Sequence, residues 1–198
     1  AQLDTDVKLI AMMKANAYGA GAIEVAKTLE YHRCSYLAVA IASEGVTLRE
    51  GGITTPIIVL NSEINGFEEL FTANLEPEIY NFRILESFIK DAENRGITDY
   101  PIHIKLEPGF VKEEIPTLID LLKKQKSFRV VSVFSHLSAS ESWAFDEYTI
   151  KQIDTFKSLS NEIEKKLGYE IDRHILNSAG IERFSHSHFN LVRLGIGL

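Results

Sequence analysis

Residues 36–61 read YLAVAIASEGVTLREGGITTPIIVLN, and this stretch decides the fold class. It opens with a short apolar run, Tyr36–Ala40, and closes with another, Pro56–Asn61. Between them, Ser43–Glu50 has the composition of a helix, and the two glycines that follow it end that helix. Two apolar runs joined by a helix predict two parallel strands connected by a right-handed crossover.

The same alternation extends outward through residues 1–198, which we interpret as one α/β domain. The predicted strands are 8–14, 36–40, 56–61, 75–81, 102–106, 130–136, 174–178 and 193–198. The predicted helices are 22–31, 43–50, 65–73, 83–95, 113–125 and 146–167. Eight strands, most of them followed by a helix, predict a closed (β/α)8 barrel of the TIM type, although such barrels usually have ~250 residues. An open doubly wound sheet is the competing arrangement. The version of that sheet that binds dinucleotides is disfavoured, because no glycine-rich fingerprint follows the first strand.

Composition excludes several classes of partner. The net charge of -7 argues against a nucleic-acid or anionic-membrane surface. No apolar run approaches the roughly 20 residues needed to cross a bilayer, and no signal peptide opens the chain. Cys34 is the only cysteine, so no internal disulfide can form, which fits a reducing compartment and predicts a cytoplasmic protein. No metal site is predicted.

Polar residues cluster where the predicted strands end. They are Lys14, Asn16, Tyr18, Lys105, Glu107, His136, Asn177, Ser178 and Arg193. In a parallel barrel the carboxyl ends of the strands meet at one rim, which is where such barrels carry their chemistry. Buried polar groups are unfavourable unless they are paired, so their repeated placement at one rim indicates a site. The alternative is that these residues lie where strands simply meet solvent.

Lys14 is the candidate nucleophile. It ends an apolar strand, and a lysine beside a low-dielectric interior loses solvation of its charged form, which favours the reactive neutral amine. The alternative is an ordinary strand-terminal lysine in water. The residues that follow Lys14 extend the motif to KANAYG, residues 14–19.

Several segments, in the right order, resemble the alanine racemase family. The strongest are KANAYG and HILNSAGIERF, residues 174–184, and they are supported by HIKLE at 103–107, FSHLSAS at 134–140 and NLVRLGIGL at 190–198. The resemblance implies a barrel that binds pyridoxal phosphate. It implies that Lys14 carries this cofactor as a Schiff base and serves as one catalytic base. It further implies that Tyr18, Ser178 and the backbone N–H groups of Gly195 and Ile196 bind the cofactor's phosphate.

The resemblance also assigns the opposite end of the cofactor. It implies that Arg193 points at the pyridine nitrogen and that His136 holds Arg193 in place, supported by Asn177 and His174. Lys105 matches a family position that is often a carbamylated lysine, and an unmodified lysine is the alternative. Satisfied polar groups at strand ends are the structural alternative for His136, Asn177 and His174.

The chain departs from the family in three places. After the fifth strand the family has a loop that contains a methionine and an arginine, where this chain has only Leu106–Phe110. Either the loop is short here, or residues are missing from the sequence at this point, and the faithful flanking segments favour the second explanation. The family's helix before the first strand is absent, so the barrel is expected to be incomplete at both ends. The family's C-terminal β domain is also absent, and it is the partner subunit's C-terminal domain that supplies a tyrosine as the second base.

The resemblance therefore implies the barrel of an enzyme that interconverts L-alanine and D-alanine, which supplies D-alanine for cell-wall peptidoglycan and forms a homodimer at full length. The alternative function is a single-domain barrel that binds or buffers pyridoxal phosphate without racemase activity. A different amino-acid substrate, such as serine, also stays open. Because racemisation needs bases on both faces of a planar carbanion, we predict that the 198-residue chain alone is inactive.

Overall fold

The computed structural model describes residues 3–4 and 6–195, and its centre is a ring of parallel strands. The eight strands in this part of the chain are β1 (Lys8–Met12), β2 (Tyr36–Val39), β3 (Ile57–Val59), β4 (Glu76–Ile79), β5 (Tyr100–Lys105), β6 (Phe128–Phe134), β7 (Asp172–His174) and β8 (Leu191–Leu194). The helices are α1 (Lys14–Tyr18), α2 (Ala22–Tyr31), α3 (Ala42–Glu50), α4 (Phe67–Thr72), α5 (Phe82–Asn94), α6 (Ile115–Lys124), α7 (Asp146–Leu167) and α8 (Ser178–Arg183). Short 3₁₀ turns occupy Ile64–Gly66, Lys112–Glu114, Trp143–Phe145 and Ser185–Ser187.

The strands follow the order β7-β6-β5-β4-β3-β2-β1-β8, and every hydrogen-bonded pair is parallel. The two outer strands, β7 and β8, lie side by side and nearly close the ring. The Arg193 N–H donates to the Leu176 carbonyl over 3.0 Å, and the Arg173 N–H donates to Asn190 Oδ1 over 3.3 Å. The predicted (β/α)8 barrel is therefore confirmed, and the open doubly wound sheet is wrong.

The helices pack on the outside of the ring through apolar stripes. In α5, Leu85, Phe88 and Ala92 recur at helical spacing and are fully buried. The helix begins where the Asn81 side chain accepts the N–H of Ile84, which satisfies one of the free donors of the first turn. The 22-residue α7 runs over the predicted range 146–167. No helix in the described part of the chain is long and apolar enough to span a membrane.

The strands end earlier than the sequence predicts, and two of these differences position site residues. The first stops at Met12 instead of residue 14, and β7 occupies Asp172–His174 instead of 174–178. The chain leaves β7 because Asn177 caps a helix that the sequence analysis missed, α8, by accepting the Gly180 N–H at 2.9 Å. Lys14 and Ser178 consequently lie just beyond their strands, at the rim.

Helix α1 is a left-handed turn. Residues Ala15–Tyr18 all have φ between 51° and 55°, a conformation that costs an L-residue roughly 1–2 kcal/mol. Two side chains fix it. Glu44 Oε1 accepts the Ala15 N–H and Asn16 Oδ1 accepts the Ala22 N–H, each over 2.8 Å. Polar contacts within the chain thus offset a strained backbone beside the candidate nucleophile.

The connection after β5 is a tight turn. The Phe110 N–H returns to the Lys105 carbonyl over 3.1 Å, and Phe110 is fully buried with its ring centroid 5.1 Å from that of Phe82. A Cβ atom at Gly109 would lie 2.2 Å from the Lys105 carbonyl oxygen, so only glycine fits there. The residues at this junction therefore pack as a closed turn.

Candidate active site

A cavity of about 710 Å³ opens at the carboxyl ends of the strands. Eight of the predicted site residues line it: Lys14, Tyr18, Lys105, His136, Asn177, Ser178, Arg193 and Gly195. Asn16, Glu107 and His174 do not line it, and Ile196 lies outside the described residues. The fold therefore gathers at one rim side chains that are as much as 181 residues apart in the sequence, from Lys14 to Gly195.

Lys14 lies at the open mouth of this cavity. Its side chain is exposed, and Nζ is 5.8 Å from the centroid of the Tyr18 ring. The position of Lys14 in the sequence predicts that the barrel interior desolvates this amine. In the structure β1 ends before Lys14, so the lysine side chain reaches solvent instead.

Tyr18, Ser178 and Gly195 form a small cup beside Lys14. The Gly195 N–H donates to Ser178 Oγ over 3.1 Å. A Cβ atom at residue 195 would lie only 2.5 Å from the oxygen of the Tyr18 hydroxyl. Partial burial raises the pKa of Tyr18, so its hydroxyl is a hydrogen-bond donor at neutral pH. The two hydroxyls and the backbone N–H thus lie close together, because residue 195 has no side chain.

Arg193 is buried in the cavity floor and held at several points. Its NH1 group donates to His174 Nδ1 over 2.6 Å, and NH2 donates to the carbonyls of Ser135 and Ile175 over 2.7 and 3.1 Å. Burial lowers the pKa of Arg193 to about 10, while the Glu78 carboxylate acts in the opposite direction. The guanidinium remains a cation at neutral pH, and its orientation is fixed.

A chain of hydrogen bonds, which we call the barrel relay, continues from Arg193 through the barrel interior. His174 Nε2 is 3.2 Å from Ser132 Oγ, which is 2.6 Å from His103 Nδ1, and His103 Nε2 is 2.8 Å from Glu76 Oε2. An arginine can only donate, so His174 Nδ1 must accept and its Nε2 carries the proton. The contacts then continue through Ser132 and His103, and the barrel relay ends at the Glu76 carboxylate.

Of the two histidines predicted to support Arg193, His174 makes the side-chain contact and His136 does not. His174 ends β7 next to β8, whereas His136 lies beyond the end of β6 with an exposed ring. Partial desolvation lowers the pKa of His136, and the neighbouring cations Arg193, Lys105 and Lys14 lower it further. A neutral His136 therefore faces the cavity.

Asn177 and Lys105 both have partners within the chain. Asn177 Oδ1 accepts from the Ser140 hydroxyl at 2.8 Å in addition to capping α8, so this oxygen is committed to the local fold. Lys105 Nζ lies 2.7 Å from Oε1 of Glu78, a fully buried residue of β4.

The sequence analysis missed four functional-site residues: Glu76, Glu78, His103 and Ser132. The signal for three of them is a polar residue inside an apolar strand, as in IHIK at 102–105 and VVSVF at 130–134, and in PEI at 77–79. Glu76 stands at the start of β4, where strand ends commonly carry charge.

Comparisons with known proteins agree with this geometry. The family model described as "Alanine racemase, N-terminal domain" matches residues 1–198. An alanine racemase of Thermodesulfovibrio yellowstonii is 37% identical over 196 residues, which are 96% of this chain and 52% of that protein. Among solved structures, an alanine racemase of Clostridium difficile 630 in complex with cycloserine has 32% identity and a TM-score of 0.89 over 98% of this chain and 51% of its own. The alanine racemase of Bartonella henselae with covalently bound pyridoxal phosphate has 25% identity and a TM-score of 0.82, over 97% of this chain and 56% of its own.

The chain spans about half the length of the curated relatives it matches. The N-terminal domain model matches residues 1–198, and the solved structures share the barrel. The chain therefore belongs to the alanine racemase family.

Proposed function

We propose that this chain is the cofactor-binding barrel of an alanine racemase, which interconverts L-alanine and D-alanine with pyridoxal phosphate. The observation that carries the proposal is the convergence at one rim of an exposed lysine, a two-hydroxyl cup and an anchored arginine. Each of these features is formed by segments that resemble the family. On the same grounds we propose a cytoplasmic enzyme that is a homodimer at full length and supplies D-alanine for peptidoglycan.

The donor set suits the two ends of the cofactor. Tyr18, Ser178 and the Gly195 N–H are short donors of the kind that bind a phosphate, and glycine at residue 195 lets the Tyr18 hydroxyl approach the backbone there. Arg193 uses three of its five N–H groups within the chain, so the remaining donors can face a ring nitrogen. When bound, pyridoxal phosphate supplies an electron-withdrawing ring that makes the Cα proton of an amino acid easier to remove.

Each residue then has a defined task. Lys14 would hold the cofactor and move the Cα proton on its own face, because its exposed side chain lies at the cavity mouth. Arg193 would direct a hydrogen-bond donor at the ring nitrogen, and its separation from His174 would leave the Nδ1 acceptor of that histidine without a donor. We assign His136, neutral at the cavity wall, to contact with the ring or the substrate.

The first experiment tests the attachment site. The protein is mixed with pyridoxal phosphate, reduced with borohydride and mapped by peptide mass spectrometry. We expect the label on Lys14 and its loss in Lys14→Arg, whereas Lys27→Arg, an exposed lysine of α2, should label like the wild type. Labelling that persists undiminished in Lys14→Arg would contradict the assignment.

A second candidate function is a barrel that holds pyridoxal phosphate without racemising amino acids. It is favoured by one observation: the cup and the anchored arginine are complete within the described residues, whereas no second base opposite Lys14 can be assigned among them. Incubation of the 198-residue chain with L-alanine in deuterated water separates the two. We expect deuterium at Cα with little D-alanine from this chain, and D-alanine from a full-length relative. No exchange at all would favour the cofactor-holding function, and rapid D-alanine formation would show a second base in the barrel.

A further inference from the structure

The buried arginine of the cavity floor has one side-chain partner that can itself turn. Arg193 donates to His174 Nδ1 over 2.6 Å, and its other contacts are the backbone carbonyls of Ser135 and Ile175. The carbonyls are fixed with the main chain, whereas an imidazole ring can rotate about its side-chain bonds. Whatever holds the His174 ring therefore also holds this contact of Arg193.

Ser132 holds the edge of that ring. Burial lowers the pKa of His174 well below its ordinary value, so the ring is neutral at pH 7, and Nδ1 accepts from Arg193, so the ring proton lies on Nε2. Ser132 Oγ is 3.2 Å from Nε2, and both residues are buried. A buried N–H without an acceptor is unfavourable. Ser132 thus stabilises the tautomer in which His174 offers Arg193 an acceptor.

Phe134 holds the face of the same ring. It lies directly opposite His174 in the pairing of β6 with β7, and the two rings stack with centroids 4.7 Å apart and planes only 5° from parallel. Arg193 Cζ lies 5.5 Å from the centroid of the Phe134 ring. Phe134 is itself buried and lines the cavity, so it packs against both members of the arginine–histidine pair.

A single strand supplies both contacts. Ser132 and Phe134 are two residues apart in β6, and alternate residues of a strand point to the same side. One contact restrains the imidazole at its Nε2 edge and the other restrains its plane. The serine is anchored in turn, because its Oγ is also 2.6 Å from Nδ1 of the buried His103.

We propose that Ser132 and Phe134 are positioning residues of the cavity: they keep His174 in one tautomer and one plane, and so keep the Arg193 guanidinium oriented before any ligand binds. The inference rests on the proposed function for the ring nitrogen that Arg193 would meet. The restraint on Arg193 is a property of the chain without cofactor.

The first arm of the test uses the protein without cofactor. ¹⁵N NMR measures rotation of the Arg193 guanidinium, whose signals are assigned by their loss in Arg193→Lys. We expect rotation about tenfold faster in Ser132→Ala and in Phe134→Leu than in the wild type, because each change frees the His174 ring. Two buried residues that do not contact His174 give the matched controls, Ser160→Ala in α7 and Phe128→Leu at the start of β6, and both should rotate at the wild-type rate.

The second arm compares two ligands. One is pyridoxal phosphate, and the other is its 1-deaza analogue, in which a C–H group replaces the ring nitrogen and accepts no hydrogen bond. We expect Ser132→Ala to weaken binding of pyridoxal phosphate about tenfold and to leave that of the analogue within about twofold of the wild type. Ser132→Cys keeps a side chain of similar size that accepts only weakly, so its effect should be intermediate and should be measurable even where Ser132→Ala does not fold.

Three outcomes would count against the proposal. Guanidinium rotation at the wild-type rate in both Ser132→Ala and Phe134→Leu would show that these residues do not restrain Arg193. Equal loss of affinity for both ligands would mean that Ser132 supports the fold in general and not the arginine. A wild type that binds the two ligands equally would contradict the ring-nitrogen contact of the proposed function, while the rotation rates would still decide whether Ser132 and Phe134 restrain Arg193.

Discussion

The two sides of the cavity hold their polar groups in different ways. On the β7–β8 side, Arg193 has three partners, and the barrel relay continues from it to the other end of the barrel. On the β4–β5 side a single ion pair, Lys105 with Glu78, faces the cavity. The β4–β5 side is thus the one with fewer internal constraints. Under the proposed function we expect the β7–β8 side to fix the cofactor, and the β4–β5 side to distinguish the ligand's other groups.

The largest effect is expected for Arg193, which we compare directly with Lys105. Arg193→Met leaves a buried histidine nitrogen and two buried carbonyls without a donor, so we expect a loss of about 3–5 kcal/mol in the free energy of unfolding. Lys105→Arg keeps a cation beside the buried Glu78 carboxylate, so its loss should be clearly smaller. Urea unfolding of both variants measures the contrast. Equal losses would mean that the two sides are held equally tightly.

A smaller effect is expected inside the barrel relay. Ser132→Ala leaves the Nε2 proton of His174 and the Nδ1 acceptor of His103 unpaired, which should cost about 2 kcal/mol. The control is Ser138→Ala, an exposed serine of the loop after β6, where the change should stay within about 0.5 kcal/mol. If the two serine variants unfold at the same urea concentration, the barrel relay does not stabilise the fold.

Gly195→Ala tests the cup. The new Cβ atom would lie 2.5 Å from the Tyr18 hydroxyl, so we expect a loss of about 2 kcal/mol in stability and weaker binding of pyridoxal phosphate. Adding Tyr18→Phe removes the clashing oxygen and should restore most of the stability but not the affinity. Gly66→Ala is the matched control, because its Cβ atom would meet its nearest neighbour at 3.6 Å. A Tyr18→Phe addition that restores nothing would place the clash elsewhere.

The smallest effect is a pH dependence from the β7–β8 side. Burial, and then the charges of Arg193 and His103, lower the pKa of His174 well below its ordinary value of 6.5. The folded protein therefore keeps His174 neutral, while the unfolded chain takes up a proton as the pH falls below about 6.5. Stability should be full above that pH and fall below it by up to about 1.4 kcal/mol per pH unit from this group. Denaturant unfolding between pH 5 and 8 measures the slope, and His32→Gln, at an exposed position, should not change it.

The order of the elements could be predicted because it depends on local sequence. Apolar runs and glycine stops are visible within a few residues of one another, as in the prediction of α7 over 146–167. The barrel relay could not be predicted, because its members come from five different strands and meet only through the register of the ring. The exposure of Lys14 could not be predicted either, because nothing in the sequence KANAYG indicates that the strand ends at Met12.

The turn Ala15–Tyr18 has the handedness that D-amino acids prefer, because a D-residue is the mirror image of an L-residue and its low-energy helical region lies at positive φ. Ala15 is exposed, so a side chain projecting in the mirrored direction would meet solvent there. A chemically synthesised chain with D-alanine at position 15 is therefore expected to fold more stably than the natural L-chain. In a protein that we propose handles both forms of alanine, one stretch of backbone would itself accept the D-form.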